Sequence, residues 1–192
     1  MVPVLQSISI IVSALYIIYL MTIMVRFSVK SQKRALFNPI YNAFYGLNQK
    51  PISVFEKLMP KSSIDWASLV YGYVVSLIVV AGLGLLFGTF SPLYFAWAGI
   101  LLVSSLKALI FFAVLIIVLA SWIAPNNANP ALEMVATAVE PIMSLFRKVI
   151  PTIGGLDISP IALFIVLSVM DALILIPLKQ VVEYPPFLMM MF

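Results

Sequence analysis

Two residue types that carry much of enzyme chemistry are missing from this sequence. Its 192 residues contain no cysteine and no histidine. Without cysteine there are no disulfides, no thiolate catalysis and no zinc–thiolate sites. Without histidine there are no imidazole metal ligands and no histidine general base. Charge is also scarce. Only 9% of residues are Asp, Glu, Lys or Arg, against about a quarter in a soluble domain. No serine sits in a recognisable nucleophile motif. A catalytic site needs placed acids, bases or nucleophiles, so an enzyme is not expected, and neither is a cofactor or a metal.

What is abundant is apolar. Such residues make up 64% of the chain, and the mean hydropathy is +1.16. A chain of this kind cannot cover its own core with polar surface. That excludes a soluble globular protein, a disordered tail and a nucleic-acid domain, and leaves an integral membrane protein. Met1 to Val25 has no basic leading region and no small-residue cleavage site, so it reads as a retained span rather than a signal peptide.

A helix needs about 20 apolar residues to cross the hydrocarbon. Four stretches qualify: Val4 to Val25, Asp65 to Phe87, a third within Ser91 to Ile123, and Ile158 to Leu178. The third begins with the aromatic run Tyr94-Phe95-Ala96-Trp97, which has the character of an interface segment. Its spanning part is predicted nearer Ile100 to Ile123. Basic residues then set the orientation. Arg26, Lys30, Lys33, Arg34, Lys50, Lys57 and Lys61 follow the first span, and Arg147 and Lys148 follow the third. The link between spans two and three has none, and Lys179 is assigned to the C-terminal tail. The positive-inside rule places both long connections in the cytoplasm and both termini outside.

The two halves align at an offset of 91. Asn38-Pro39 falls on Asn129-Pro130, Ser53 on Ser144, Phe55 on Phe146, Lys57 on Lys148 and Pro60 on Pro151, while Asp65 matches Asp157 one residue later. This predicts two repeats, 1–90 and 91–192, related by an axis along the membrane normal. Within the second connection, polar or small residues recur at Glu133, Thr137, Glu140, Ser144 and Arg147, one stripe of a helix. The first repeats it at Asn42, Gly46, Gln49, Ser53 and Glu56. Amphipathic helices over Pro39 to Met59 and Pro130 to Ile150 are expected, each capped by its asparagine and kinked or split at Pro51 or Pro141. The fold class is therefore an all-α integral membrane protein. It has four transmembrane helices in two parallel repeats, each with a cytoplasmic amphipathic helical segment between its spans.

Two ionisable residues fall inside spans, Lys107 and Asp171. Counted from the cytoplasmic ends of their spans they lie about 24 and 21 Å deep at 1.5 Å per residue. They are within one turn of the same depth and are candidates for a pair, with snorkelling of Lys107 and a proton or ion path as the other readings. Asp65 and Asp157 open spans two and four. They read as helix caps or, with carbonyls of Gly154 and Gly155 near Asp157, as a cation site. Gly82 and Gly84 in span two, with Ala108 and Ala113 in span three, are candidates for close helix contact. Lys30, Lys33 and Arg34 suit anionic lipid headgroups, at about 1 kcal/mol per residue.

The second half carries a longer pattern. It reads Ala120-Ser121-Trp122-Ile123-Ala124-Pro125, then Asn129-Pro130, Glu140-Pro141, Phe146-Arg147-Lys148, Ile150-Pro151 and Gly154-Gly155-Leu156-Asp157-Ile158-Ser159-Pro160. This resembles the signature of the YggT family, also called YlmG/Ycf19. The first half looks like a diverged copy, with Arg26-Phe27 in place of Ser121-Trp122 and no Gly-Gly before Asp65. The resemblance implies a small multi-pass inner-membrane protein, in the two-copy form typical of Gram-negative bacteria. The family has no established biochemical activity. Its members have been linked to osmotic-shock tolerance and potassium uptake, and relatives to cell division, nucleoid organisation or assembly of membrane complexes.

Two functions follow as expectations. The first is a non-catalytic scaffold or accessory factor that organises lipid or an unidentified membrane or cytoplasmic protein, with no nucleic-acid contact. The alternative is a component of potassium transport or osmotic stress, which would act as a homo-oligomer because four spans make too thin a pore alone.

Overall fold

The structure is a computed structural model that describes residues 2–29, 38–60, 62, 64–123, 129–152, 154, 157–189 and 191. The basic cluster Lys30, Lys33 and Arg34, and also Lys61, Ala124, Pro125 and Gly155, lie outside these residues. The described elements of the chain are all helices. Its elements are α1 (Val2–Val29), α2 (Pro39–Glu56), α3 (Trp66–Leu86), α4 (Tyr94–Ile123), α5 (Pro130–Val149) and α6 (Ser159–Met170). A five-residue π turn (Asp171–Leu175), α7 (Ile176–Val181) and α8 (Pro186–Met189) complete it. Four helical stretches are long and apolar enough to cross a membrane: Val4–Ser28, Trp66–Leu86, Tyr94–Ile123 and Ser159–Val181. Their 21 to 30 residues reach about 32 to 45 Å at 1.5 Å per residue, which covers a hydrocarbon core of about 30 Å.

The third stretch starts earlier than the sequence predicts. Tyr94 to Trp97 form the first turn of α4 and not a separate interface segment. The Ser91 hydroxyl accepts from Leu93 N–H at 3.1 Å and starts the turn. Trp97 is buried, and its indole N–H donates to the Val182 carbonyl at 2.8 Å. The aromatic residues here pack the bundle as well as its rim.

Neighbouring spans run antiparallel. Tyr16 Oη and Ser76 Oγ bond at 2.8 Å, and Tyr19 Oη and Tyr71 Oη at 2.7 Å, one helical turn apart along α1 and α3. At one end of the bundle, α2 and α5 fill the space between spans. Buried Tyr41, Val114, Met134, Val139, Met143 and Leu163 form the core there. Asn38 Oδ1 accepts from Ile40 N–H at 3.0 Å and Asn129 Oδ1 from Ala131 N–H at 2.9 Å, so each asparagine caps its helix. Asn38 Nδ2 also donates to the Pro130 carbonyl at 2.8 Å, tying the two helix starts together. Of the kink or split expected at Pro51 and Pro141, the split does not occur, because α2 and α5 each continue through their proline. One missing bond is not enough to end a helix that is anchored by buried Ile52, or by buried Val139 and Met143.

The C-terminal segment turns back into the opposite end. Glu183 adopts φ 47°, in the left-handed region, and Tyr184 N–H bonds to the Lys179 carbonyl at 2.9 Å. This left-handed stop ends α7 and reverses the chain. Phe187 then stacks on Phe87 with centroids 4.7 Å apart, and Phe187 and Leu188 join the core of Tyr16, Leu20, Val80 and Leu83.

Of the two glycines singled out in span two, only Gly84 has a neighbour against its Cα. A Cβ there would collide with the Tyr94 hydroxyl, which donates to the Thr89 carbonyl, whereas a Cβ on Gly82 would meet nothing within 4 Å. Gly84→Ala should therefore displace Tyr94 and destabilise the fold by about 1 to 3 kcal/mol. Gly82→Ala should be neutral or stabilising by up to about 1 kcal/mol through helix propensity. Thermal melts of both variants in the same detergent check the contrast.

Candidate functional site

The charged groups in the middle of the spans meet between α4 and α6. Lys107 stands thirteen residues after Tyr94 at the start of α4, and Asp171 twelve after Ser159 at the start of α6. Lys107 Nζ donates to Asp171 Oδ2 in a charge-assisted hydrogen bond. Both side chains are part-exposed. The ammonium is thus held at mid-helix by a carboxylate from the facing span, where either charge alone would be costly.

Asp171 also opens the π turn. Pro177 has no N–H to offer the carbonyl four residues earlier, and its ring clashes with that carbonyl. The backbone widens instead, and Ile176 N–H bonds to the Asp171 carbonyl five residues back. Such a turn inserts one residue into the helical register. In an unbroken α-helix Lys179 would lie about 80° around the axis from Asp171; the extra residue brings it to about 20°. Leu175 and Leu178, which regular register would set beside Asp171, instead line an apolar hollow with Phe95 and Gly99. Lys179 joins Lys107 and Asp171 on a cavity of about 670 Å³ that also takes in Ser104, Ser105 and Ser168. Sequence reasoning assigns Lys179 to the tail and takes span four as uninterrupted. The signal that would have found it is Pro177, six residues after the intramembrane acid.

The signature residues build the corner between α5 and α6. Pro130 begins α5, and Pro141 lies within it. Arg147 NH1 bonds to Glu140 Oε2 and its Nε to Asp157 Oδ2, each at 2.8 Å. Gly154 takes φ 59° in the connection, which favours glycine. Pro151 follows the end of α5, and Pro160 sits in the first turn of α6, where a missing N–H costs nothing. Asp157 Oδ1 accepts from Ser159 N–H at 2.9 Å, so this carboxylate both caps α6 and holds Arg147. Phe146 packs against the α5 core, while Trp122 at the end of α4 is 75% exposed. Burial pushes the Asp157 carboxyl up, but the bonds from Arg147 and Ser159 outweigh it and hold it below its ordinary value. The Asp157 bond in turn raises the Arg147 guanidinium.

Asp65 behaves differently. It stands at the cap position of α3, yet its side chain makes no capping bond to the helix. Its Oδ2 accepts from Ser68 Oγ at 2.7 Å and lies 3.7 Å from Arg26 Nε. Arg26 is 3% exposed, bonds to Glu56 at 2.7 Å and stacks over the Tyr45 ring at 4.8 Å. The Asp65 carboxylate is thus engaged by a side-chain hydroxyl, with Arg26 nearby, and not by a backbone donor of the helix. Among the described residues, no group of three or more acidic side chains is placed to hold a metal ion.

The region that builds both the intramembrane pair and the α5–α6 corner matches a known family model, CCB3/YggT, over residues 96–178. Over these residues the chain is similar to the YggT family. It is 29% identical over 173 residues to an uncharacterized protein of Pseudomonas aeruginosa, covering 88% of each chain. An uncharacterized protein from the proC 3′ region of Vibrio alginolyticus is 27% identical, over 83% of this chain and 89% of its own. The uncharacterized YggT of Escherichia coli K12 is 24% identical, over 86% and 88%. No solved structure matches the chain. The family match takes in Lys107 and Asp171 and stops one residue before Lys179.

Two measurements probe these contacts. In a double-mutant cycle of Lys107→Met and Asp171→Asn, unfolding should show a coupling of about 0.5 to 3 kcal/mol; additive effects would mean that the groups do not act as a pair. For Asp157 the folded pKa lies below the unfolded one, so its stabilisation is complete above about pH 4 and fades as pH falls through the folded value. Melts of wild type and Asp157→Asn should differ at neutral pH and converge in acid. A difference that persists in acid would contradict this.

Proposed function

We propose that this membrane-embedded YggT-family protein is a non-catalytic scaffold or accessory factor that serves membrane organisation, cell division or complex assembly. The observation that carries the reading is the position of the signature charges. Glu140, Arg147 and Asp157 lock one another at the outer corner of α5 and α6, with side chains 42%, 44% and 35% exposed. A fixed, charged corner at the edge of an apolar bundle suits docking of a protein partner. Arg26, Lys50, Lys57, Arg147 and Lys148 gather at this same end, and that supports a cytoplasmic placement for α2 and α5 with both termini on the other side. A two-repeat origin is supported by the matched Asn-Pro starts of α2 and α5. Further support is that each half ties one arginine to two carboxylates.

Potassium movement through span four is the rival. The cavity around Asp171 holds two lysines against one carboxylate, a balance that disfavours a cation. The test pairs two assays. A photo-crosslinking residue in place of exposed Lys148 should give discrete protein adducts in cells. These should be lost on Arg147→Ala at unchanged protein level, while proteoliposomes of wild type should show no potassium flux above empty vesicles. Adducts indifferent to Arg147 would overturn the scaffold reading. So would flux that Asp171→Asn abolishes in folded protein.

A further inference from the structure

The cavity between α4 and α6 has features that the scaffold reading leaves unused. Its charges do not balance. Lys107 and Asp171 neutralise each other, and Lys179 forms no ion pair among the described residues. The Lys179 ammonium instead rests 5.5 Å from the Tyr184 ring centroid. Ser104 on the same wall is 4% exposed, and its hydroxyl has no hydrogen-bond partner. By contrast, the neighbouring Ser105 and Ser168 hydroxyls donate to the carbonyls of Leu101 and Phe164. The unmatched groups here are thus donors: an ammonium and a buried hydroxyl. An apolar membrane interior does not leave such groups open without cost. What they lack is an acceptor that carries negative charge.

The rest of the lining gives the remainder of the occupant. Phe111, Phe112 and Leu167 line the cavity beyond the polar residues, on the side toward α5. Lys179 lies two residues before the end of the fourth span, so along the bundle the order is ammonium, ion pair and serines, then phenylalanines. That order is the polarity gradient of one lipid leaflet, from charged head to chain. A volume of about 670 Å³ falls within the range of about 300 to 1,000 Å³ typical of sites for organic ligands of moderate size. It is far more than an inorganic ion needs. The π turn is what makes the site, because without its extra residue Lys179 would point away from Asp171.

We infer that this cavity binds an anionic amphiphile. Its acidic oxygens are held by Lys179, Lys107 and the Ser104 hydroxyl, and its chain lies along Phe111, Phe112 and Leu167. The chemistry recognised is a phosphate- or carboxylate-type anion. The apolar floor assigns its source to a membrane lipid rather than to water.

The experiment is native mass spectrometry of the full chain, delipidated in neutral detergent, with thermal melts in parallel. The probes are phosphatidylglycerol, phosphatidylcholine with the same chains, and inorganic phosphate. Wild type should retain phosphatidylglycerol and melt higher with it, while phosphatidylcholine and phosphate have little effect. Lys179→Gln should weaken retention about tenfold, the scale of one lost charge-assisted bond. Ser104→Ala should weaken it less, and Lys179→Arg should restore most of it, which separates lost charge from lost folding. A Lys30, Lys33 and Arg34 triple glutamine variant should bind as wild type does. Equal retention of phosphatidylcholine, or loss in the triple variant without loss in Lys179→Gln, would overturn the site. A Lys179-dependent shift with phosphate alone would overturn the amphiphile and leave a site for a free ion.

Discussion

A charge halfway along a membrane-length helix must find its opposite at the same depth, and much of this bundle is arranged around that requirement. Lys107 stands at mid-span, and α6 brings Asp171 to its level. That contact fixes how far α4 and α6 slide past each other. With the slide fixed, Phe111 meets Phe164 at 4.8 Å one turn further on, and Leu163 and Leu167 enter the same core as Val114 and Met143 of α4 and α5. The carbonyl of the same Asp171 accepts the bond that opens the π turn. One residue thus sets both the depth of the pair and the point at which the helix changes register.

At the end of the bundle where α2 and α5 lie, charge is handled in two contrasting ways. Arg26 is buried and touches Glu56 and Asp65, yet its Nε and one terminal nitrogen have no hydrogen-bond partner. Burial of this kind adds little net stability, because desolvation offsets most of the attraction. It does specify geometry, since only one placement of α2 against α1 and α3 satisfies it. Arg147 makes a comparable pair of contacts in the open, where water screens them and the stabilisation is correspondingly smaller. The first corner is internal bracing. The second keeps its donors and acceptors within reach of solvent.

Much of the architecture is legible in the sequence because the bilayer imposes a single length scale. Four apolar runs of about 20 residues can only be spans, and Asn38-Pro39 and Asn129-Pro130 start helices for reasons confined to four or five residues. Depth along a span follows from counting, which is why Lys107 and Asp171 are comparable before any coordinates exist. What counting misses is rotation about the helix axis. Lys179 reads as a tail residue until Pro177 is seen to force an extra residue into the turn. Tertiary contacts override local rules at Pro51 and Pro141, where packing holds the helix together. Asp65 and Asp157 both precede a span and both stand near an arginine, yet only Asp157 accepts a backbone N–H, while Asp65 accepts from the Ser68 hydroxyl.

The return of the C-terminal segment has a consequence for how the protein is made. Phe187 and Leu188 are 7% and 1% exposed, and they rest against α1 and α3, helices that leave the ribosome long before them. Their site is built by residues of α1, α3 and α4, all made before the fourth span. During synthesis, therefore, that end of the bundle is open, with Tyr16, Val80 and Leu83 facing lipid or the insertion machinery. The segment that closes it is made after the four spans. Closure is therefore a late step, and a chain halted before residue 184 would have all four of these spans and still lack a finished core.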